Sequence, residues 1–234
     1  SAFKNCTGLV SVDWGNNLQY INKSAFKGCT NLTQISLPIL LKTIDESAFE
    51  GCTTLTNVYS NGNFLALQNI DKSAFKGCTS LQYVDMPRSV INIGNSAFQG
   101  CSGLTGELVI PDSVTSIGSS AFEGCSGFTS LRLSKGLTTL SWYNFSGCTG
   151  LTKVEIPTSI QSLKTSVFSN CTNLTRVDIT DLVAWCNIDM ESSACPLYYA
   201  KNLYLNGELI SGELVIPEGV AKIGDYAFCG CKEI

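Results

Sequence analysis

The sequence predicts a right-handed solenoid of parallel β ladders, with one short helical turn in each lap of about 23 residues. Three observations predict it. A phenylalanine returns at Phe3, Phe26, Phe49, Phe75, Phe98, Phe122, Phe145, Phe168 and Phe228, at spacings of 23, 23, 26, 23, 24, 23, 23 and 60. A cysteine stands three residues after every one of these: Cys6, Cys29, Cys52, Cys78, Cys101, Cys125, Cys148, Cys171 and Cys231. Beyond each of the first eight cysteines the chain alternates apolar and polar, as in Leu151-x-x-Val154-x-Ile156-Pro157. A period near 23 belongs to stacked repeats, and period-two alternation belongs to strands.

Each part of the lap has a physical reading. Gly or Asn precedes the cysteine, and these residues enter the left-handed backbone region most readily. Four residues before the phenylalanine stand Asn22, Asp45, Asp71, Gly94, Gly118, Ser141, Lys164 and Gly224, all but Lys164 acceptable helix N-caps. The Ala-Phe segment is therefore expected to form one capped helical turn closed by a left-handed residue. After the cysteine comes a strand that ends at proline, which cannot extend a ladder. A second extended segment carries apolar pairs such as Val90 with Ile93 and Val114 with Ile117. One lap cannot bury its own apolar side chains, but stacked laps, with strands roughly 4.8 Å apart, can.

Four departures are local. Lap three carries an insertion at Ser60-Asn61-Gly62-Asn63, with Ser60 at an apolar position. Lap five has one extra residue at Gly106-Glu107, expected to form a bulge. The 60-residue gap holds an irregular unit at about 181–210, with a short helix capped by Asp181 and a tight hairpin at Asn206-Gly207. Ser1-Ala2-Phe3 stands mid-unit and Cys231 to Ile234 breaks a unit off. Residues 1–234 are thus expected to be one repeat domain from a longer array.

Composition narrows the function classes. The net charge is −4 with 15% charged residues, which gives no basic stripe for nucleic acid. Hydrophobic residues make up 44% of the chain, which argues for a packed core. Histidine is absent, and with it go the commonest general base and the Ser-His and Cys-His nucleophile pairs. No Gly-x-Gly-x-x-Gly or phosphate-loop pattern occurs. The reading is non-enzymatic, with no cofactor, no metal and no small-molecule substrate.

The run Ala-Phe-x-Gly-Cys-x-x-Leu, seen at Ala97 to Leu104, and Leu-Thr-x-Val-x-Ile-Pro, seen at Leu151 to Pro157, together resemble the BspA-like, or treponemal-class, leucine-rich repeats. The resemblance covers the whole chain. It implies a leucine-rich-repeat solenoid in a secreted or surface-anchored microbial protein, often an adhesin for host matrix proteins or other cells. It carries over no binding residue, because the family has no fixed binding motif.

Nine of the twelve cysteines are periodic. Stacked in register, they would sit farther apart than a disulfide prefers, so they read as a buried thiol ladder. A Cys186 to Cys195 disulfide is left open. Cys229-x-Cys231 lacks the usual zinc-ligand spacing. Tyr198, Tyr199 and Tyr204 read mainly as cover for the irregular unit's own core.

Site candidates lie on the outward face of the main strand, where residues two apart share a face. One column reads Ser11, Gln34, Asn57, Tyr83, Glu107, Ser130, Lys153, Arg176 and Glu213. The other reads Asp13, Ser36, Tyr59, Asp85, Val109, Arg132, Glu155, Asp178 and Val215. From these, Tyr59, Tyr83, Asp85, Arg132, Lys153, Glu155, Arg176 and Asp178 are the candidate protein-binding face, since tyrosine and arginine make interface hot spots. The expected function is adhesion through this face, by a monomeric module at the cell surface or outside the cell. The alternative is a spacer that holds another domain away from the surface.

Overall fold

The phenylalanine sets the geometry, so the lap is best built from it. A computed structural model describes residues 1–15, 17–60 and 66–234. From Phe3 to Phe168 the repeating rings form one column, with neighbouring centroids 5.1–5.7 Å apart and planes within 13° of parallel. From Phe26 onward these rings are buried. A large flat side chain in every lap fixes the stacking distance and removes much apolar area from water.

The corner that holds this ring is not a helical turn. Two residues in it are left-handed: Gly28, Gly51, Gly77, Gly100, Gly124 and Gly147 at φ 71–75°, and Ser24, Ser47, Ser73, Ser96 and Ser120 at φ 54–58°. The glycine is the left-handed closure expected of the corner, whereas the left-handed serine inside it is what a right-handed helix excludes. Only alternate N–H groups close local turns, as when Ala74 donates to Asp71 and Cys78 to Phe75. The others point along the solenoid axis: Ser73 donates to Asn95, Phe75 to Ala97 and Gly77 to Gln99, at 2.7–2.8 Å. The corner is thus a third inter-lap ladder. The residues expected as N-caps instead offer their carbonyls to the turn, while the Asp45 carboxylate accepts from the Lys23 N–H of the preceding lap.

The cysteine locks the same corner. Seven thiols, from Cys29 to Cys171, each donate to the phenylalanine carbonyl of the preceding lap, at 3.0–3.3 Å. Burial pushes the thiols of Cys52, Cys101 and Cys171 up to about 12. All twelve cysteines are free, including Cys186 and Cys195, both buried. At the thiolate fraction such values leave near neutrality, the ladder thiols are unreactive packing groups.

Two ladders of parallel strands flank the corner. The short strands Tyr20–Ile21, Thr43–Ile44, Asn69–Ile70, Asn92–Ile93 and Ser116–Ile117 pair in order, and a second set joins Thr139–Leu140, Ser162–Leu163 and Asp189–Met190. The long strands Gln34–Leu37, Asn57–Ser60 and Tyr83–Val84 form one sheet. Gly106–Val109, Phe128–Arg132, Lys153–Glu155, Arg176–Ile179 and Leu203–Leu205 run parallel in another, closed by antiparallel Glu208–Leu209. The extra residue of lap five is absorbed where Gly106 turns left-handed at φ 80° and the register slips between Phe128 and Ser130. The insertion at Asn61-Gly62-Asn63 lies outside the described residues, whereas Ser60 ends its strand by donating to the Asp85 carboxylate.

The irregular unit completes a lap. Its helix α1, Leu182–Cys186, is capped by Asp181, whose carboxylate accepts from the Ala184 N–H at 2.9 Å. Asp189–Met190 continues the short ladder. Ser193 is left-handed at φ 63° and Ala194 is buried, so Ser193-Ala194-Cys195 is a corner with cysteine in place of phenylalanine. Helix α2, Leu197–Ala200, follows, and Leu203–Leu205 continues the long ladder. Asn206 and Gly207 both have positive φ and close the expected hairpin.

Glu191 ties this lap to the one before. Its carboxylate accepts from the Thr165 N–H and hydroxyl at 2.9 and 2.8 Å and from Lys164 Nζ at 3.0 Å. These bonds, the Thr165 N–H foremost, hold its pKa down from 4.5 to about 2. A depressed carboxylate stabilises the fold above its unfolded pKa and ceases to do so below its folded one. The stability difference between the parent and Glu191→Gln is therefore expected to be full above pH 4.5 and to close by about pH 2, as urea denaturation at a series of pH values would show. A gap independent of pH would contradict this clip.

Candidate binding face

From Gln34 onward the outward columns follow their period-two spacing, whereas Ser11 and Asp13 lie outside any strand. Pairing places Gln34 beside Asn57 and Asn57 beside Tyr83, and Ser36 beside Tyr59. On the second sheet it aligns Glu107, Ser130, Lys153 and Arg176, and likewise Val109, Arg132, Glu155 and Asp178. The next rung differs from the expected one. Asp178 pairs with Tyr204, and neither Glu213 nor Val215 joins the ladder, Val215 being 74% exposed. The irregular unit supplies the missing rung, so the columns do not jump to the next recognisable repeat.

The long ladder is interrupted between Tyr83–Val84 and Gly106–Val109, each of which ends a sheet. The corner stack and the short ladder continue across that point. A groove of about 980 Å³ opens there and crosses the neighbouring laps. Tyr83, Asp85, Arg132, Glu155 and Asp178 line it, together with Arg88, Glu107, Asp112 and Lys135. Tyr59 packs on Tyr83 with centroids 6.2 Å apart, and the two side chains are 41% and 50% exposed.

Beside the groove lies an ordered ionic cluster. Arg176 donates from Nε and Nη2 to both Asp178 oxygens at 2.7 Å, and its guanidinium lies 3.8 Å from the Tyr204 ring centroid. Lys153 Nζ is 2.7 Å from Glu155 Oε1 and 3.7 Å from Asp178 Oδ2. The hydrogen bond to Asp178 raises the Arg176 pKa, and that to Glu155 raises the Lys153 pKa. Exposed pairs of this kind add little stability. The bidentate, stacked Arg176 is nevertheless held in one orientation. Tyr204 is thus a rung of the column rather than only local cover, a place that follows from the disguised corner at Ser193-Ala194. The repeated Ser-Ala dipeptide, 27 residues after Ser166-Val167, was the available signal.

The BspA type leucine-rich-repeat region, in six copies, matches residues 1–105, 105–190 and 201–234. The chain belongs to this family. The BspA-type array is similar to a crystal structure of a leucine-rich repeat protein from Bacteroides ovatus ATCC 8483, with 29% identity and a TM-score of 0.63 over 73% of this chain and 46% of that one. It is also similar to the T. pallidum leucine-rich repeat protein, with 33% identity and a TM-score of 0.60 over 67% of this chain and 72% of that one. The BspA-type chain thus spans less than half of the Bacteroides protein. No curated protein matches it. Among the described residues, no helix of this BspA-type array is long and apolar enough to cross a membrane.

Proposed function

We propose that this chain is a non-catalytic binding module of a cell-surface or secreted protein. In this reading its long-strand face recognises a protein of the host matrix or of another cell's surface. The observation that carries it is convergence: five of the eight candidate residues line one groove, and the other three pack on or bond to those five. Exposed tyrosines beside an oriented arginine are the side chains that dominate interface energetics. The absence of histidine supports a binding role over catalysis.

The test is retention of matrix and cell-surface proteins by the immobilised chain, compared with the variant carrying Arg132→Glu, Lys153→Glu and Arg176→Glu. Loss of an oriented hot spot should cost about 2 kcal/mol or more, roughly thirtyfold in Kd, with thermal melting run in parallel to confirm the fold. If the variant retains the same partners equally well, the strand face is not the binding surface. The continuous corner stack then favours the spacer reading.

A further inference from the structure

We propose that the corner of the Phe145 lap binds a neutral oligosaccharide, whose sugar rings stack on Trp142 and Tyr143. The site lies on the corner, not on the long-strand face, and does not rest on the strand-face reading.

Three consecutive residues depart from the repeat there. In the laps before it the corner reads polar residue, serine, alanine, phenylalanine, as in Asn95-Ser96-Ala97-Phe98 and Ser119-Ser120-Ala121-Phe122. Here it reads Trp142-Tyr143-Asn144-Phe145. Trp142 and Tyr143 are 49% and 44% exposed. Among the described residues, they are the only large apolar side chains exposed on the corners from Phe26 to Phe168. Tyr143 also carries a backbone cost. It is left-handed at φ 59°, where Ser24, Ser47, Ser73, Ser96, Ser120 and Ser166 stand in other laps. A bulky residue kept in a disfavoured conformation and left half in solvent points to a ligand rather than to packing. Tyr226, the other tyrosine at this place, follows Asp225 rather than a second ring.

The backbone that carries the rings is pinned, and their polar tips are free. Asn144 is fully buried. Its Oδ1 accepts from the Ser141 N–H at 2.6 Å, and its Nδ2 donates to the Gly118 carbonyl at 2.5 Å. The Trp142 carbonyl accepts from the Ser120 N–H at 2.9 Å. Among the described residues, neither the Trp142 indole N–H nor the Tyr143 hydroxyl has a hydrogen-bond partner.

The surroundings select the chemistry of the ligand. The neighbouring laps place Ser119 and Ser120 on one side and Thr165 and Ser166 on the other, all hydroxyl-bearing. The charges that border them leave no spare cation: Lys164 pairs with Glu191 at 3.0 Å, and Glu123 is a carboxylate that accepts from Gln99. Two aromatic rings among hydroxyls, without an available cation, match a neutral sugar. Its C–H face covers a ring, and its hydroxyls meet the indole N–H, the phenol and the serines. A protein partner fits less well, because a stable protein interface needs a broad apolar core and these rings have no exposed apolar neighbours on the corner.

The probes are mannan, xyloglucan and galactan, with heparin as the anionic counterpart, each cast into a native gel through which the intact chain migrates. At least one neutral polysaccharide is expected to retard the chain, and heparin is not. The variant carrying Trp142→Ser and Tyr143→Ser takes the residues that the Phe122 lap uses at Ser119-Ser120. It should fold and melt as the parent does, while its affinity for the retarding polysaccharide falls about tenfold or more. The variant carrying Arg132→Glu, Lys153→Glu and Arg176→Glu, altered on the strand face, should be retarded like the parent. Free migration of the parent in all three neutral gels would overturn the proposal. So would retardation by heparin alone, or an unchanged affinity in the double serine variant. Capture of a protein through Trp142 and Tyr143, with no polysaccharide bound, would overturn it too.

Discussion

Replacing Phe98 with alanine is expected to destabilise the chain by roughly 3–5 kcal/mol. Phe98 is fully buried, and its ring lies 5.3 Å from both Phe75 and Phe122. Removing it loses the transfer energy of the ring and leaves a cavity between two rigid neighbours. The corner cannot collapse to fill that cavity, because the Phe98 N–H donates to Ala121 and its carbonyl accepts the Cys125 thiol. Phe3 is the internal control: the same residue type at the same lap position is 45% exposed. Phe3→Ala should therefore cost well below 3 kcal/mol. Urea denaturation and limited proteolysis measure both. If Phe98→Ala melts and resists protease like the parent, the column is not the anchor of the stack.

Gly118→Ala should cost about 1–3 kcal/mol, although it adds one methyl group. An added Cβ would stand 2.4 Å from the Asn95 backbone N and 2.7 Å from the Gly94 carbonyl carbon. These are main-chain atoms of the preceding lap, so a side-chain rotation cannot relieve the overlap. The Asn95 side chain is committed too, since its Oδ1 accepts from the Ser119 N–H at 2.9 Å. Asp45 and Asp71 carry side chains at the corresponding place in their laps, so the exclusion is local to Gly118. Gly77→Ala separates this effect from backbone strain. Nothing lies within 4 Å of its added Cβ, but φ is +72°, so it bears only the left-handed penalty of about 1–2 kcal/mol. Thermal unfolding of the two variants checks the argument. A neutral Gly118→Ala would mean that the laps can part at no cost.

The parts of the fold that follow from side-chain type at fixed spacing were legible in the sequence. Phe26 to Phe168, the cysteines beside them and the two outward columns are of this kind. What depends on backbone direction was not. Ser24 and its equivalents are left-handed because their N–H groups are drawn toward the next lap, and nothing in a serine announces that. The corner therefore read as a helical turn from its Ala-Phe and its caps. Ser193-Ala194-Cys195 lacks the phenylalanine that marks the other corners, and this hides the place of Tyr204 in its column. The eight candidate residues came from alternation and residue type, and the structure joins them through Asp178 and the groove. The groove itself was hidden. It needs the ladder to part between Tyr83–Val84 and Gly106–Val109, which no residue type at those positions announces.

The claim at the centre is that the Phe-Cys corner builds the scaffold while the long-strand face meets the partner. Hydrogen–deuterium exchange of the chain alone and with a retained partner addresses it directly. The account predicts new protection in 83–88, 106–113, 132–135, 153–159 and 176–180, the segments that border the groove, with the corner segments unchanged. Protection confined to corner segments such as 72–77 and 95–100, with the strand face exchanging as before, would contradict it.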